Sequence, residues 1–355
     1  MKKIISILLV MVLGVSIFAC AKNQKDTGKV TNEGESIKKD AFYDEDDTVQ
    51  LTDGAGRLVS FPEPAKTVAT SWGGAVDTFL FALNVTDRIV ATKSGNNMHK
   101  LCIEDMENMP SVGRWDLDAE ALATISPDVF LHAAFAEEIL ESANKVNVRS
   151  VGLNFNTMAD VTVGTEMLGV VFGVEERAKY VIDYYEKIMK IVEEHVAEIP
   201  ESERYTVVVL GHEKGQIASS SISPTEEMIK YAGGISCVPQ EVLAANNTEV
   251  GEEKIFKWNP DVIFIQESLG ELTPEVLLAD ATWAGMKAVQ SKKVYAIPCV
   301  ADAWSTASPS SCLGVLYMSM QMYPAYYDDI DFESIVVQFY KDIYNLNLTR
   351  DELGF

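Results

Sequence analysis

The side chains in this chain best suited to chemistry are aromatic rings and a few polar groups standing just past short apolar runs. Trp72 and Gly73 follow TVATS, Lys93 and Ser94 follow IVAT, Arg114 and Trp115 sit in VGRWDLD, His132 and Phe135 follow DVFL, and Asn154 and Phe155 follow SVGL. Farther along come His212 after VVVLG, Ser219 to Ser221 in ASSS, Gln266 after VIFI, and Trp304 with Ser305 in ADAWSTASP. Rings of this kind offer a large, flat, partly apolar ligand wide contact at low entropic cost, while a few polar groups set its orientation. Trp72, Trp115 and Trp304 are the expected walls; Phe135 and Phe155 serve equally well as packing residues that cap a sheet. Arg114 is the arginine of the first half placed to meet an anion, and Lys93 is the weaker candidate. A histidine facing such a site could ligate haem iron, but a lone histidine after a strand more often makes a hydrogen bond. No metal ligand is therefore assigned to His132 or His212.

Other chemistries find less support. A free-metal site needs three or four converging ligands, and the histidines at 99, 132, 195 and 212 give it little to draw on, with His195 expected to be solvated. There is no G-x-S-x-G, P-loop or G-x-G-x-x-G and no acid pair in the candidate loops, so no catalytic residue is assigned, no cofactor is expected, and an enzyme is a remote alternative. A net charge of −24 argues against a nucleic-acid partner, whose phosphates demand Lys and Arg. Cys102, Cys237, Cys299 and Cys312 form no CxxC pair and read as free thiols.

These groups need elements to position them. TVQLTDGAGRLVSFP carries two alternating runs around Asp53 to Gly56, a hairpin signal. KTVATSWGGAVDTFLFALNV reads as a strand, a glycine break and a helix with Val76, Phe79, Leu80 and Leu83 on one face. The clearest internal echo pairs ISPDVFLH, ending at His132, with WNPDVIFIQ, ending at Gln266. Each follows a helical stretch that Pro127 or Pro260 closes, and each leads through another helix to a further strand, RSVGLNF or KKVYAIP. Two α/β lobes with mostly parallel sheets follow from this repeat. Between them, Ala178, Val181, Ile182, Tyr185, Ile188, Met189, Val192 and Val196 keep helical spacing, which predicts one long connecting helix that restricts hinge closure. Ligands gather beyond the carboxyl ends of parallel strands, where the candidate residues fall.

At the start, Lys2 and Lys3 precede an uncharged stretch from Ile4 to Ala19 that is short for a permanent span. VSIFAC resembles a bacterial lipobox, with Ile17 at the aliphatic position, Ala19 at the small position and Cys20 as the lipidated residue. The following AKNQKDTGKVTNEGESIKKD lacks the apolar residues needed to fold and reads as a leash. The expected organisation is a signal peptide at 1–19, a tether at 20–47, a first lobe at 48–173, an interlobe helix at 174–199 and a second lobe with C-terminal helices at 200–355. A lipobox also argues against glycosylation at the N-x-T triplets of Asn84, Asn246 and Asn347.

The order of these pieces resembles the substrate-binding proteins of ABC importers for ferric siderophores, haem and cobalamin. The resemblance is carried by TDGAGRLVSFPEPAKTVA at 52–69, EALATISPDVFL at 120–131, VGLNFNTMADVTVGTEMLGVVFG at 151–173, IKYAGG at 229–234, EEKIFKWNPDVIFI at 252–265 and WAGMKAVQSKKVYAIP at 283–298. It implies two Rossmann-like lobes joined by one rigid helix, with the ligand cleft between them. It further implies a monomer, lipid-anchored on the outer face of the bacterial cytoplasmic membrane, that captures an iron complex and delivers it to a permease and its ATPase. The loops lack the several arginines a highly charged tricatecholate would call for, which favours a hydroxamate or mixed siderophore, with cobalamin or haem behind it and a free-metal binding lipoprotein as a remoter alternative. In the resembled family an acid on each lobe pairs with permease arginines. Glu227 takes that place in the second lobe, with Glu226 beside it; in the first, Thr78 stands at the usual position and Asp77 one residue off.

Overall fold

The computed structural model describes residues 48–93, 97–266, 271–299, 301–349 and 351–353. The expectations for the signal peptide, for lipidated Cys20, for the 20–47 tether and for Ser94 lie outside the described residues. The chain enters through an antiparallel hairpin, β1 (Val49–Thr52) and β2 (Leu58–Phe61). Asp53 builds its turn by accepting the Ala55 and Arg57 N–H groups at 3.0 and 2.9 Å, and the same carboxylate takes the Gly152 N–H at 2.9 Å, which docks the hairpin onto the first lobe.

The first lobe runs β3 (Val68–Thr70), α1 (Gly73–Ala82), β4 (Ile89–Ala91), α2 (Asn97–Cys102), α3 (Ala119–Ile125), β5 (Val129–Ala133), α4 (Glu137–Lys145), β6 (Arg149–Leu153) and α5 (Ala159–Phe172). Its strands lie in the order β4-β3-β5-β6, every pair parallel. The helix α6 (Glu175–Glu198) follows. The second lobe holds β7 (Thr206–Leu210), α7 (Thr225–Tyr231), β8 (Ile235–Ser236), α8 (Gln240–Ala244), α9 (Glu252–Trp258), β9 (Val262–Gln266), α10 (Pro274–Ala279), α11 (Lys287–Gln290) and β10 (Val294–Ile297), then α12 (Ser311–Met322) and α13 (Phe332–Tyr344). Its strand order is β10-β9-β7-β8, again all parallel.

The sequence echo has an atomic counterpart. Helices α3 and α9 each stop on a left-handed residue, Ser126 at φ 49° and Asn259 at φ 45°, since the proline that follows disfavours helical backbone at the residue before it. Next comes an aspartate that braces the start of the neighbouring strand. Asp128 accepts the Lys66 and Thr67 N–H groups at 2.8 and 2.9 Å; Asp261 accepts the Thr206 N–H at 3.0 Å and its hydroxyl at 2.6 Å. In both lobes the threonine hydroxyl oxygen accepts the aspartate's own N–H in return, at 2.9 and 3.1 Å.

At about 1.5 Å per residue, α6 is a rod of roughly 36 Å, and it buries Ala178, Val181, Tyr185, Ile188 and Val192. It packs on α5 in the first lobe and on α7 and α12 in the second. The terminal helix α13 crosses back to α1, and Arg177 ties the junction by donating to the carbonyls of Ala82 at 2.8 Å and Ile343 at 2.6 Å. One apolar cluster therefore runs without a break from Val49 and Phe79 through Tyr185 to Val207 and Val336. Opening the lobes far apart would expose part of that cluster to water, at about 25 cal/mol for each Å².

Candidate ligand-binding site

Parallel strands bring their carboxyl ends to one edge. In the first lobe that edge is aromatic: Trp72 follows β3, Phe135 follows β5 and Phe155 follows β6. Trp72 is the centre. Its ring stands edge-on to Phe155 at 5.0 Å and to Phe135 at 5.4 Å, tilts against Trp115 at 6.1 Å, and stacks on the His132 imidazole at 6.3 Å with 24° between the planes. Phe155 is buried, and backs onto Phe79 of α1 at 5.9 Å. Trp115 and Phe135, by contrast, are 63% and 64% exposed. Large rings left in water next to a buried aromatic base are poor packing but a good binding surface. The Arg114 guanidinium lies 5.5 Å from the Trp115 ring and brings positive charge to the same face.

The backbone pays for this placement. Trp72 caps α1 in the left-handed region, at φ 59° and ψ 34°, a conformation that costs a bulky residue about 1–2 kcal/mol, and its N–H is held by the Arg114 carbonyl at 2.9 Å. Gly73 is needed next to it for close approach. A Cβ there would sit 2.7 Å from Thr92 Oγ1 and 2.9 Å from both Asp77 Oδ2 and the Lys93 carbonyl. Gly73 thus positions Trp72.

The remaining first-lobe candidates divide. His132 is the penultimate residue of β5 and is 2% exposed. Its Nδ1 lies 3.2 Å from the Ala133 carbonyl, which places the proton there, and Nε2 is buried without a partner. Burial holds this imidazole below the ordinary histidine range, against the pull of that carbonyl, so it is neutral at pH 7. Asn154 is spent on the fold, its amide donating to the Gly54 carbonyl at 3.1 Å. Lys93 is exposed.

In the second lobe the edge is polar. His212 and Ser221 are exposed, Gln266 is half-buried at the end of β9, and Ser219 is buried with its hydroxyl unpartnered. The Gln216 side chain accepts the His212 N–H at 2.8 Å and steadies the loop after β7. Trp304 is not a wall of the cleft. It is 2% exposed, stands edge-on to Phe332 at 6.1 Å, and donates from Nε1 to the Tyr340 hydroxyl at 2.9 Å. That hydroxyl and the Ser310 hydroxyl both donate to Asp302, which burial pushes above the usual carboxylate range in spite of them. This buried network turns a polar segment inward beneath α13, and the segment's composition carries no sign of it.

The docking candidates also change. Asp77 is fully buried in α1, where Oδ2 accepts from Thr92 Oγ1 at 2.6 Å and lies 2.9 Å from His99 Nε2, so it is unavailable to a permease. Thr78 is buried too, bonded to the Ala75 carbonyl. Glu227 is half-buried and reaches across the lobes, accepting the Met158 N–H at the start of α5 at 2.7 Å. His195 is largely covered rather than solvated, stacked on Tyr327 at 4.5 Å and paired with Asp329 at 3.1 Å. The four described cysteines are free, and burial pushes the Cys102 and Cys237 thiols up to about 12, which leaves them unreactive. A concavity of about 670 Å³ lies elsewhere, at the amino ends of β7, β9 and β10 around Tyr205, Asp261, Lys293 and Tyr323; Asp261 there is committed to bracing β7.

Comparison with known proteins agrees with this architecture. The molybdate-binding protein MolA of Haemophilus influenzae is 23% identical over 298 residues, covering 76% of this chain and 83% of the relative. Its molybdate-bound crystal structure superposes with a TM-score of 0.73 at 21% identity, over 84% of this chain and 99% of that one. The Fe(3+)-citrate-binding protein YfmC of Bacillus subtilis is 23% identical over 304 residues, 82% of this chain and 89% of the relative. YvrC of Bacillus subtilis, an ABC transporter substrate-binding lipoprotein, is 23% identical over 280 residues, 74% and 81% of the two chains. Residues 68–301 match the family described as periplasmic binding protein, a solute-binding rather than catalytic family. The chain belongs to the periplasmic binding protein family.

Proposed function

We propose that this protein captures a ferric chelate on the aromatic edge of its first lobe and hands it to its importer. Membership of the family makes it the substrate-binding component of an ABC importer working in the cell envelope, with a permease and a small-molecule ligand as partners. The identity of the cargo is the proposal. The observation that carries it is the pair of exposed rings, Trp115 and Phe135, packed around Trp72. A chelate with an organic shell gains from such contact area, about 25 cal/mol for each Å² of apolar surface covered. YfmC, named for Fe(3+)-citrate, supports the same class. Attachment through lipidated Cys20 is part of the reading, in line with the lipoprotein YvrC, and Glu227 and Glu226 are the second-lobe acids offered for permease docking.

A bare oxyanion is the second reading. MolA is named for molybdate, and Arg114 at the edge of the aromatic face offers one positive group. A small tetrahedral anion needs several converging donors and uses little of an aromatic wall. Calorimetric titration of the purified protein with ferric citrate, a ferric trihydroxamate and molybdate separates the two. Binding of an iron chelate at least tenfold tighter than molybdate is expected; the reverse order would replace this reading with the oxyanion one.

A further inference from the structure

The turn that presents Trp72 rests on a chain of buried polar side chains drawn from four elements. The Thr70 hydroxyl, at the end of β3, donates to Thr92 Oγ1 at 2.8 Å. The Thr92 hydroxyl, just past β4, donates in turn to Asp77 Oδ2 of α1 at 2.6 Å, and His99 Nε2 of α2 lies 2.9 Å from that same oxygen. All four residues are at most 1% exposed. The chain grips the turn on both sides, since Thr70 precedes Trp72 and Asp77 follows it. It is also what the turn packs against: Gly73 approaches Thr92 Oγ1 and Asp77 Oδ2 too closely for any Cβ to fit. His99 is anchored as well. It stands edge-on to Phe81 at 5.4 Å, and the N–H of its neighbour Met98 donates to the Ala301 carbonyl of the second lobe at 2.9 Å.

Stability alone is a poor reason for a carboxyl group at this place. The helix α1 is otherwise apolar, with Val76, Phe79 and Leu80 in the core, and Asp77 Oδ1 is buried with no partner among the described residues. An unsatisfied buried acceptor is costly, and an apolar side chain of similar size is often no less stable in such a position. What the carboxyl group adds is direction: one oxygen joins groups from two further elements and fixes both against the turn. We infer that Asp77, acting through Thr92, is a positioning residue for ligand capture. It holds the turn so that the Trp72 ring meets Trp115, Phe135 and Phe155, and it does so without touching the ligand. The inference rests on the reading that the cargo binds the aromatic edge of the first lobe. It gives the buried acid of α1 a part in capture instead of permease docking.

Calorimetric titration of ferric citrate into the full chain and its variants tests this, with Tm recorded for each. Thr92→Val keeps the shape but removes the hydroxyl that joins Thr70 to Asp77; Asp77→Asn keeps the shape but not the carboxyl group. Each should weaken binding about fivefold or more, because a binding site tolerates displacements of only about 0.5 Å. Thr92→Ser, which restores the hydroxyl, should bind within about twofold of wild type. The decisive arm is a double-mutant cycle. In a Trp72→Ala background, titrated at correspondingly higher protein concentration, Thr92→Val should change affinity by no more than about twofold, since the ring it displaces is gone. A merely structural role would lower affinity equally in both backgrounds, and that result would overturn positioning through Trp72. Wild-type affinity in folded Thr92→Val and Asp77→Asn would overturn it too, while leaving the aromatic-edge reading standing. Failure of both variants to fold would assign the network to the fold alone and would also overturn the inference. A wild type that binds no ferric citrate, or a Trp115→Ala/Phe135→Ala variant that binds it as wild type does, would remove the aromatic-edge reading itself and the inference with it.

Discussion

The carboxyl edges of the two sheets start from the same repeated unit and end in opposite chemistry. In the first lobe the residues after β3, β5 and β6 gather into one aromatic group, open to solvent through Trp115 and Phe135. In the second lobe the tryptophans are used inside: Trp283 is buried and bonded to Glu252 at 2.7 Å, Trp304 is buried and bonded to Tyr340, and the edge shows His212, Ser221 and Gln266. The strand braces Asp128–Thr67 and Asp261–Thr206 are alike, so the scaffold is common to both and the difference lies in what the loops carry. An aromatic edge on one lobe and a polar edge on the other suit a ligand with a broad apolar face and a polar remainder. Under the proposed function, affinity is concentrated on the first lobe, with orientation supplied by the second.

The largest effect expected on that comparison comes from the residue that looked equivalent in both lobes. Trp304→Ala should lower stability by about 3–5 kcal/mol, because it empties a packed site and strips a donor from the Tyr340–Asp302 network. A fall in Tm of about 10 °C follows for a chain of this size, readable by calorimetry, while the folded protein keeps its ligand affinity. A smaller effect tests whether the scaffold is shared. Asp128→Ala and Asp261→Ala should each cost about 1–2 kcal/mol by leaving strand-start N–H groups unpaired, with the less exposed Asp261 the costlier of the two. Both carboxylates are opposed by burial yet held below the usual range, Asp128 by its bonds from Lys66 and Thr67 and Asp261 by its bonds from Thr206 and Lys287. Their contribution is therefore complete above about pH 4 and is lost as pH falls through their lowered values.

The smallest effect contrasts the two ends of α6. At the first-lobe end Arg177 binds backbone carbonyls with a permanent charge. At the other end His195 is raised above its ordinary value, since the Ile191 carbonyl and Asp329 outweigh partial burial. A raised histidine contributes fully below about pH 6.5 and loses its contribution as pH climbs through the folded value. Tm should decline slightly from pH 6 to pH 8.5, and His195→Gln should abolish that slope.

Much of the aromatic edge could be read in the sequence, because Trp72, Phe135 and Phe155 each closely follow a β-branched run ended by a break, and parallel strands leave such residues at one edge; Trp115 comes instead from the long connection between β4 and α3. Proline-aspartate pairs made the internal repeat visible for a similar local reason. Burial decided by distant partners could not be read. Asp77 looks like an exposed acid at the start of α1 until His99 and Thr92, from beyond β4, close over it. Trp304 sits in a serine-rich segment that reads as surface until α13 folds across it. The burial of His132 beside Trp72 and Phe130 likewise leaves no local pattern.

The central claim, that the ligand rests on the first lobe's aromatic edge, is tested most directly by calorimetric titration of ferric citrate into wild type and the double variant Trp115→Ala/Phe135→Ala. Both rings are exposed, so Tm should move by no more than about 1 °C, while the loss of two aromatic contacts should weaken binding about tenfold or more. An affinity equal to wild type in a folded double variant would contradict the account and move the ligand off this face.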